Sequence, residues 1–226
     1  MIISDYIEGK PLVASVRFND LMPYIKKSYK KIIIVNDYSL GSEKSVYSNL
    51  NYKFHTKRSS FTIAVDKDNK NKNKLIIAIE KLLRKSFVLK IWRRRKYKEN
   101  YFIKDNINLL KKLEYELTNS NIDTILVTVP DIFGIYIAKY LKSKKSSLKI
   151  ITEVRDILNN EIAKGNPKSI IIRAEKTMLE ISDGIIVLSE GIKEYYEKLN
   201  NDIEIIEIKN GYNEKLFNTI SKKKST

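Results

Sequence analysis

The sequence lacks cysteine altogether and contains a single histidine, His55. These absences exclude disulfides and cysteine metal sites, and they exclude a histidine-dependent metal site or catalytic triad elsewhere in the chain. Glycine and proline are also scarce, with seven and four residues among 226, so long disordered tracts are not expected. The lack of cysteine fits a reducing compartment such as the cytoplasm.

Long hydrophobic runs are missing as well. The first residues, MIISDYIEGKPLV, contain no basic segment followed by an apolar core, so a signal peptide is not expected. No stretch approaches the roughly 20 apolar residues of a membrane-spanning helix. We therefore expect a soluble or peripheral protein.

What the sequence has in excess is positive charge, since 43 Lys and Arg against 27 Asp and Glu give a formal net charge of +16. Such an excess predicts an anionic partner, with nucleic acid, anionic lipid and phosphorylated ligands as the three candidates. Lysine is abundant together with asparagine and isoleucine, so an AT-rich coding bias is an alternative source of part of the excess.

Apolar runs typical of buried strands alternate along the chain with segments of helical periodicity. This alternation indicates βαβ units with right-handed crossovers. We predict an α/β fold, a Rossmann-like, mostly parallel sheet with helices on both faces, in a single domain over residues 1–217 with a basic polar tail at 218–226. The predicted buried strands are 32–35, 122–130, 148–154, 185–188 and 203–208, and residues 50–65 suggest one or two short strands more.

Helix boundaries are indicated at three places. Residues 74–117 read as two helices with a break near Glu99-Asn100. Asp131 and Ser189 stand where a helix N-cap is expected after a strand.

Polar side chains follow two of the predicted strands at their carboxyl ends, where parallel α/β sheets place their ligand sites. Glu153 and Asp156 can accept hydrogen bonds from hydroxyl groups, and Arg155 can bind a phosphate in bidentate fashion. Ser189 and Glu190 begin the helix after the next strand, where backbone N–H groups favour an anion. The alternative is structural: Arg155 and Asp156 pair within the loop, and Glu190 complements the helix dipole.

The most basic segment is residues 81–98, which contain nine Lys or Arg and no acidic residue, interleaved with aromatic and aliphatic side chains. A basic helix that carries aromatic residues is typical of an interfacial membrane helix. Two alternatives remain, nucleic-acid binding and a core stripe formed by Leu83, Phe87 and Ile91. Because no RNA-binding motif accompanies the charge, we expect no nucleic-acid partner. The residues expected to face an anionic membrane are Arg84, Lys85, Lys90, Trp92, Arg93, Arg94, Arg95 and Lys96.

Four stretches taken in order, DTILVTVPDIFGIYIAKYL, IITEVRDI, SDGIIVLSEGIKEYY and IKNGYNEKLF, resemble the N-terminal half of a GT-B glycosyltransferase of family four. The resemblance covers most of residues 120–217 and extends more weakly to GKPLVASVRFNDLMPYI near the N-terminus. One departure is that the Gly-rich first loop of the family is reduced here to Gly9.

The resemblance implies roles for residues that composition and spacing do not assign. Asp156 would be catalytic. Ser15 and Arg17 would face the donor phosphates, and Asn210 and Gly211 would form the hinge to a second domain. The residues implied to bind the acceptor are Glu153, Arg155, Ser189 and Glu190. No metal site is implied.

The resemblance further implies the acceptor-binding half of an enzyme that transfers a sugar from a nucleotide sugar to a lipid-linked saccharide during bacterial surface polysaccharide synthesis. The nucleotide sugar would be a co-substrate held mainly by a donor domain outside this chain, and no other cofactor is expected. The expected partners are the lipid-linked acceptor, the anionic inner face of the cell membrane, and either a separate donor-binding chain or a second copy of this chain. The alternative is a non-enzymatic basic α/β module that binds anionic membrane or a partner protein.

Overall fold

The computed structural model describes residues 1–4, 13–37, 48–56, 91, 94–129, 132–158 and 167–210. Strands and helices alternate along most of this part of the chain. The strands are β1 (Ile2–Ile3), β2 (Ile33–Asp37), β3 (Leu50–Phe54), β4 (Thr124–Val129), β5 (Lys149–Val154), β6 (Gly184–Val187) and β7 (Ile205–Glu207). The helices are α1 (Val13–Ser28), α2 (Glu99–Asp105), α3 (Ile107–Asn119), α4 (Phe133–Lys144), α5 (Lys168–Ile181) and α6 (Glu190–Leu199).

The seven strands form one sheet in the order β3-β2-β1-β4-β5-β6-β7. Every pairing between these strands is parallel. β1 lies at the centre, where Ile2 pairs with Ile34 on one side and with Leu126 on the other. The predicted Rossmann-like α/β fold is therefore confirmed, with a sheet that is parallel in all its described pairings.

The two faces of the sheet are covered by different helices. On one face, α1 places Phe18 and Met22 against Ile2 and Ile34, and all four side chains are buried. A stripe with spacing of about four residues along α1 produces this contact. The other described helices contribute to the second, larger core on the opposite face.

Helix α4 packs closely on the larger core because Gly134 has no side chain. A Cβ atom at this position would lie 3.1 Å from Cγ1 of Val127, which is tighter than an ordinary contact. Phe133 stacks at 5.0 Å from Phe102, and Tyr136 donates its hydroxyl proton to the carbonyl of Tyr97 over 2.8 Å. The aromatic cluster thus fastens α2 and the segment before it to the sheet.

Two carboxylates are buried within the helical layer. Glu175 accepts a hydrogen bond from Tyr196 over 3.0 Å and one from Tyr195 over 3.4 Å. Burial raises the pKa of Tyr196 far above its usual range, so that this hydroxyl stays a donor. Glu116 accepts hydrogen bonds from Ser120 and Tyr52, and the Ser120 bond is the largest cause that lowers the pKa of Glu116.

The structure refines the boundaries inferred from the sequence. Ile2–Ile3 form a strand that was not predicted, because two residues carry no periodicity. The chain turns at residues 97–98, next to the predicted break, and again at Asn106 between α2 and α3. Ser189 is the N-cap residue of α6 as predicted, although its side chain makes no capping hydrogen bond. Asp131 and the 218–226 tail lie outside the described residues, and the boundary at 217 stays a prediction.

None of the helices that the structure describes is both long and apolar enough to cross a membrane.

Candidate functional site

The central pair of strands, β1 and β4, marks the point where the direction of winding reverses. From β1 the chain proceeds to β2 and β3 on one side, and from β4 it proceeds to β5, β6 and β7 on the other. Ligands of open α/β sheets bind outside the carboxyl ends of the strands at such a reversal. The candidate site is therefore the carboxyl edge of β1, β4 and β5.

A row of polar side chains crosses the sheet at this edge. Thr128 of β4 pairs in register with Glu153 of β5 and donates its hydroxyl proton to Ser4, which follows β1. Asn36 of β2 is also polar, and all four residues are buried. Polar residues at the ends of otherwise aliphatic strands are costly to bury unless they are hydrogen-bonded. A row of such residues along one edge therefore marks this edge as a candidate binding site.

Glu153 stands between two arginines. Its Oε1 atom accepts a hydrogen bond from Nε of Arg17 over 2.7 Å, and its Oε2 atom lies 3.4 Å from Nη2 of Arg155. The side chains of Arg17, Glu153 and Arg155 are only 11, 5 and 10 % exposed. We call this group the Arg-Glu-Arg cluster.

Arg17 uses its donors within the protein. Besides Glu153, it binds Oδ1 of Asn210 over 2.8 Å through Nη1, and it lies 3.4 Å from the carbonyl oxygens of Ile208 and Lys209. One guanidinium group thus joins α1 to the end of β5 and to the segment that follows β7.

Arg155 makes fewer hydrogen bonds than Arg17 within the described part of the chain. Its guanidinium lies over the ring of Phe18, 5.4 Å from the centroid, and its Nε atom is buried with no hydrogen-bond partner among the described residues. Two guanidinium groups face one carboxylate, so the Arg-Glu-Arg cluster carries a net charge of +1, and Asp156 beside it is exposed to solvent. An excess of one positive charge that is largely buried favours an anionic ligand that accepts two parallel hydrogen bonds from a guanidinium group, such as a phosphate or a carboxylate.

The structure brings together some of the residues singled out from the sequence and leaves others apart. Arg17, Glu153, Arg155 and Asn210 form one connected group through the bonds given above. Asp156 adjoins this group without a described bond of its own, so its role as the catalytic residue stays a prediction.

Ser189 and Glu190 are exposed at the start of α6, and no described hydrogen bond joins their side chains to the Arg-Glu-Arg cluster. Ser15 lies in the first turn of α1, where only the backbone is described. Gly211 falls outside the described residues.

Most of the basic segment is likewise outside the described part of the chain. Arg84, Lys85, Lys90, Trp92 and Arg93 belong to that undescribed portion.

The described end of the basic segment is exposed at Arg94 and Arg95, while Lys96 is half-buried. The Arg95 guanidinium lies 4.5 Å from the ring centroid of Tyr101. Ile91 is 54 % exposed, so at this position the apolar stripe does not enter the core. Leu83 and Phe87, the other two members of the stripe, lie outside the described residues.

Sequence reasoning missed a groove that runs beside α1 from the Arg-Glu-Arg cluster toward the opposite edge of the sheet. Its volume is about 610 Å³. The signal in the sequence was the four-residue spacing of Leu21, Ile25 and Tyr29. These residues form a second apolar stripe along α1 and just after it, beside the stripe of Phe18 and Met22. We call this feature the α1 groove. Its lining includes Leu21, Ile25, Leu126, Ile151, Ile186 and Ile208.

Two further observations bear on the chemistry of the site. Among the described residues there is no group of three His, Asp or Glu side chains placed to hold a metal ion. Comparison with protein-family models finds no matching family, and comparison with curated proteins finds no match.

Proposed function

We propose that this chain is the acceptor-binding half of a GT-B-type glycosyltransferase, which holds a lipid-linked saccharide while a donor-binding half supplies a nucleotide sugar. The observation that supports the proposal most is the Arg-Glu-Arg cluster at the reversal point of a parallel sheet. The Arg155 side chain in it is 10 % exposed, and its Nε atom has no hydrogen-bond partner among the described residues. The cluster suits an acceptor that carries a phosphate beside its sugar.

The residues at this edge divide into three roles under the proposal. Arg155 binds the acceptor phosphate with the donors that Glu153 leaves free. Asp156, exposed at the same edge, accepts the proton of the attacking sugar hydroxyl. Arg17 fixes Glu153 and the segment that leaves β7, so that the cleft wall keeps its shape when the donor half closes on it.

The leaving nucleoside diphosphate is stabilised by groups on the donor half, because the described donors of Arg17 are already used. The chain alone therefore binds the acceptor with little or no turnover. A place on the inner face of the cell membrane, during surface polysaccharide synthesis, would give it access to a lipid-linked acceptor.

The proposal is tested with a hexose 1-phosphate, which contains the sugar and the phosphate without a lipid chain. Its binding is measured by calorimetry and by the shift in melting temperature, since a ligand that binds the native state raises stability. We expect Asp156→Asn to weaken binding several-fold without loss of stability, because the side chain is exposed. The matched control is Asp202→Asn, at an exposed aspartate in the turn after α6.

Nucleotide sugars are tested in the same assay at millimolar concentration. No shift with any of them is expected from an acceptor half. A clear shift with one nucleotide sugar would show that the chain has its own donor site, and equal affinities of the Asp156→Asn and control variants for the hexose phosphate would remove Asp156 from the acceptor site.

A second candidate function is a non-enzymatic module that docks on anionic membrane. It is favoured by the exposure of Arg94, Arg95 and Ile91, which are two cations and an aliphatic side chain within five residues of the chain. This candidate predicts binding to vesicles that contain anionic lipid and no response to hexose phosphates or nucleotide sugars.

A further inference from the structure

The α1 groove is open because part of one sheet face has no described helix over it. Both faces of a parallel sheet are normally covered. Here α1 packs over β1 and β2, whereas Ile151 and Ile186 farther along the same face are half-buried. Ile206 and Ile208 at its edge are 48 and 44 % exposed. An aliphatic surface of this kind marks a binding site for an apolar group.

The groove is elongated and of the size of a small-molecule site. Arg17 on α1 and Tyr29 just after this helix line its two ends, about 18 Å apart at 1.5 Å per residue. Leu21, Ile25 and Ile151 are part of the lining between them. The volume of about 610 Å³ lies within the range of roughly 300–1,000 Å³ that is usual for small-molecule sites, so an extended hydrocarbon chain is a suitable occupant.

The two ends of the groove are charged. Arg17 and Glu153 line one end, next to the guanidinium group of Arg155. Lys30 and Lys31 line the other, although Lys31 is paired with Glu116. Asp123 offsets part of the charge at the lysine end. The arginine end is therefore the better place for an anionic head group, and the lysine end lies where a chain would leave the groove.

We infer that the α1 groove binds the hydrocarbon chain of a phosphorylated lipid, with the phosphate at Arg155. The inference rests on the proposed function to the extent that both place a phosphate at this arginine. It adds that the lipid part of the acceptor is recognised by the sheet face itself.

The test uses dodecyl phosphate, which contains the chain and the phosphate without a sugar. Binding is measured by calorimetry, with inorganic phosphate and a nonionic dodecyl glycoside for comparison. We expect Ile186→Gln, which places an amide on the floor of the groove, to weaken binding of dodecyl phosphate about tenfold. Ile172→Gln, at an exposed isoleucine of α5, is the matched control and should leave it unchanged. Ile186→Phe, which fills the groove without adding a polar group, gives the same loss and covers the case in which Ile186→Gln does not fold.

The head group is tested with Arg155→Met. We expect this variant to lose most of the affinity for dodecyl phosphate and to bind the nonionic glycoside as the wild type does. Equal affinities of the Ile186 variants and the control would overturn the inference, as would affinity for inorganic phosphate equal to that for dodecyl phosphate.

Two further outcomes identify a different occupant. Binding to anionic vesicles with no binding of soluble dodecyl phosphate would mean surface attraction alone. A dimer in sedimentation that Ile186→Phe converts to a monomer, again without dodecyl phosphate binding, would assign the groove to a second copy. If the protein binds hexose 1-phosphate and does not bind dodecyl phosphate, the inference about the α1 groove is refuted and the proposed function is not. If it binds dodecyl phosphate and does not bind hexose 1-phosphate, the proposed sugar site is refuted and the inference about the groove is not.

Discussion

Replacing Arg17 by methionine tests whether the Arg-Glu-Arg cluster is a buried structural clamp. Arg17 and Glu153 are 2.7 Å apart, and their side chains are 11 and 5 % exposed. Removing one member of a buried pair costs about 3–5 kcal/mol, since the other charge stays behind. Glu153 keeps Arg155 at 3.4 Å, so we expect a loss near the lower limit, about 3 kcal/mol in the free energy of unfolding.

The assay is urea denaturation of the wild type and of Arg17→Met, Glu153→Gln and the double variant. Because the two residues are in contact, the double variant should lose at least about 1 kcal/mol less than the sum of the single losses. The control is Lys176→Met, which breaks a 4.0 Å pair with Glu180 on the surface of α5, where the side chains are 78 and 60 % exposed. A pair of this kind contributes less than about 0.5 kcal/mol.

Two results would refute the reasoning. A loss below about 1 kcal/mol for Arg17→Met would mean that its guanidinium is not held by Glu153 and is available to a ligand, as the family resemblance implies for the donor phosphates. Additive losses in the double variant would mean that the two side chains do not interact in solution.

Two other predictions concern the buried carboxylates. Glu116→Gln should cost about 1–2 kcal/mol in the free energy of unfolding, measured by urea denaturation at pH 7. The Ser120 hydrogen bond lowers the pKa of Glu116 in the folded state below the unfolded value of about 4.5. The stabilisation by the ionised carboxylate is therefore complete above pH 4.5 and is lost as the pH falls through the folded pKa. The difference from the wild type should therefore shrink at pH 3, and a difference that stays constant with pH would contradict the assignment. Tyr196→Phe removes the 3.0 Å hydrogen bond to Glu175 and should cost about 1–3 kcal/mol in the free energy of unfolding. Tyr195→Phe removes the longer 3.4 Å bond to the same carboxylate and should cost less. Equal losses would show that burial of Tyr196 contributes nothing to the strength of its bond.

Most of the longer strands of this protein could be predicted because they appear as uninterrupted aliphatic runs. Ile125, Val127 and Val129 of β4 are inaccessible or nearly so, and the run that contains them was predicted as a strand. The same property made the parallel pairing of the sheet predictable, since aliphatic strands that alternate with helices indicate βαβ units.

The candidate site could be predicted only in part. The position of Glu153 and Arg155 at a strand end was visible in the sequence, because the end of an apolar run marks the edge of the sheet. The contact of Glu153 with Arg17 could not be foreseen, since 136 residues separate the two in the chain. The α1 groove was missed for a related reason, because a vacancy on a sheet face depends on which helices pack there and not on any local pattern.

The central place of β1 has a consequence for the order in which the protein folds during synthesis. Ile2 and Ile3 are synthesised before the other strands of the sheet, yet they must pair both with Ile34–Val35 and with Leu126–Val127. Because β1 joins the two halves of the sheet, the half that contains β4 to β7 cannot be attached until β4 has been made, more than 120 residues later. Parallel strands joined through such distant contacts assemble slowly. Until then one edge of β1 lacks its native partner, and an unpaired aliphatic strand edge is a place where another chain can pair.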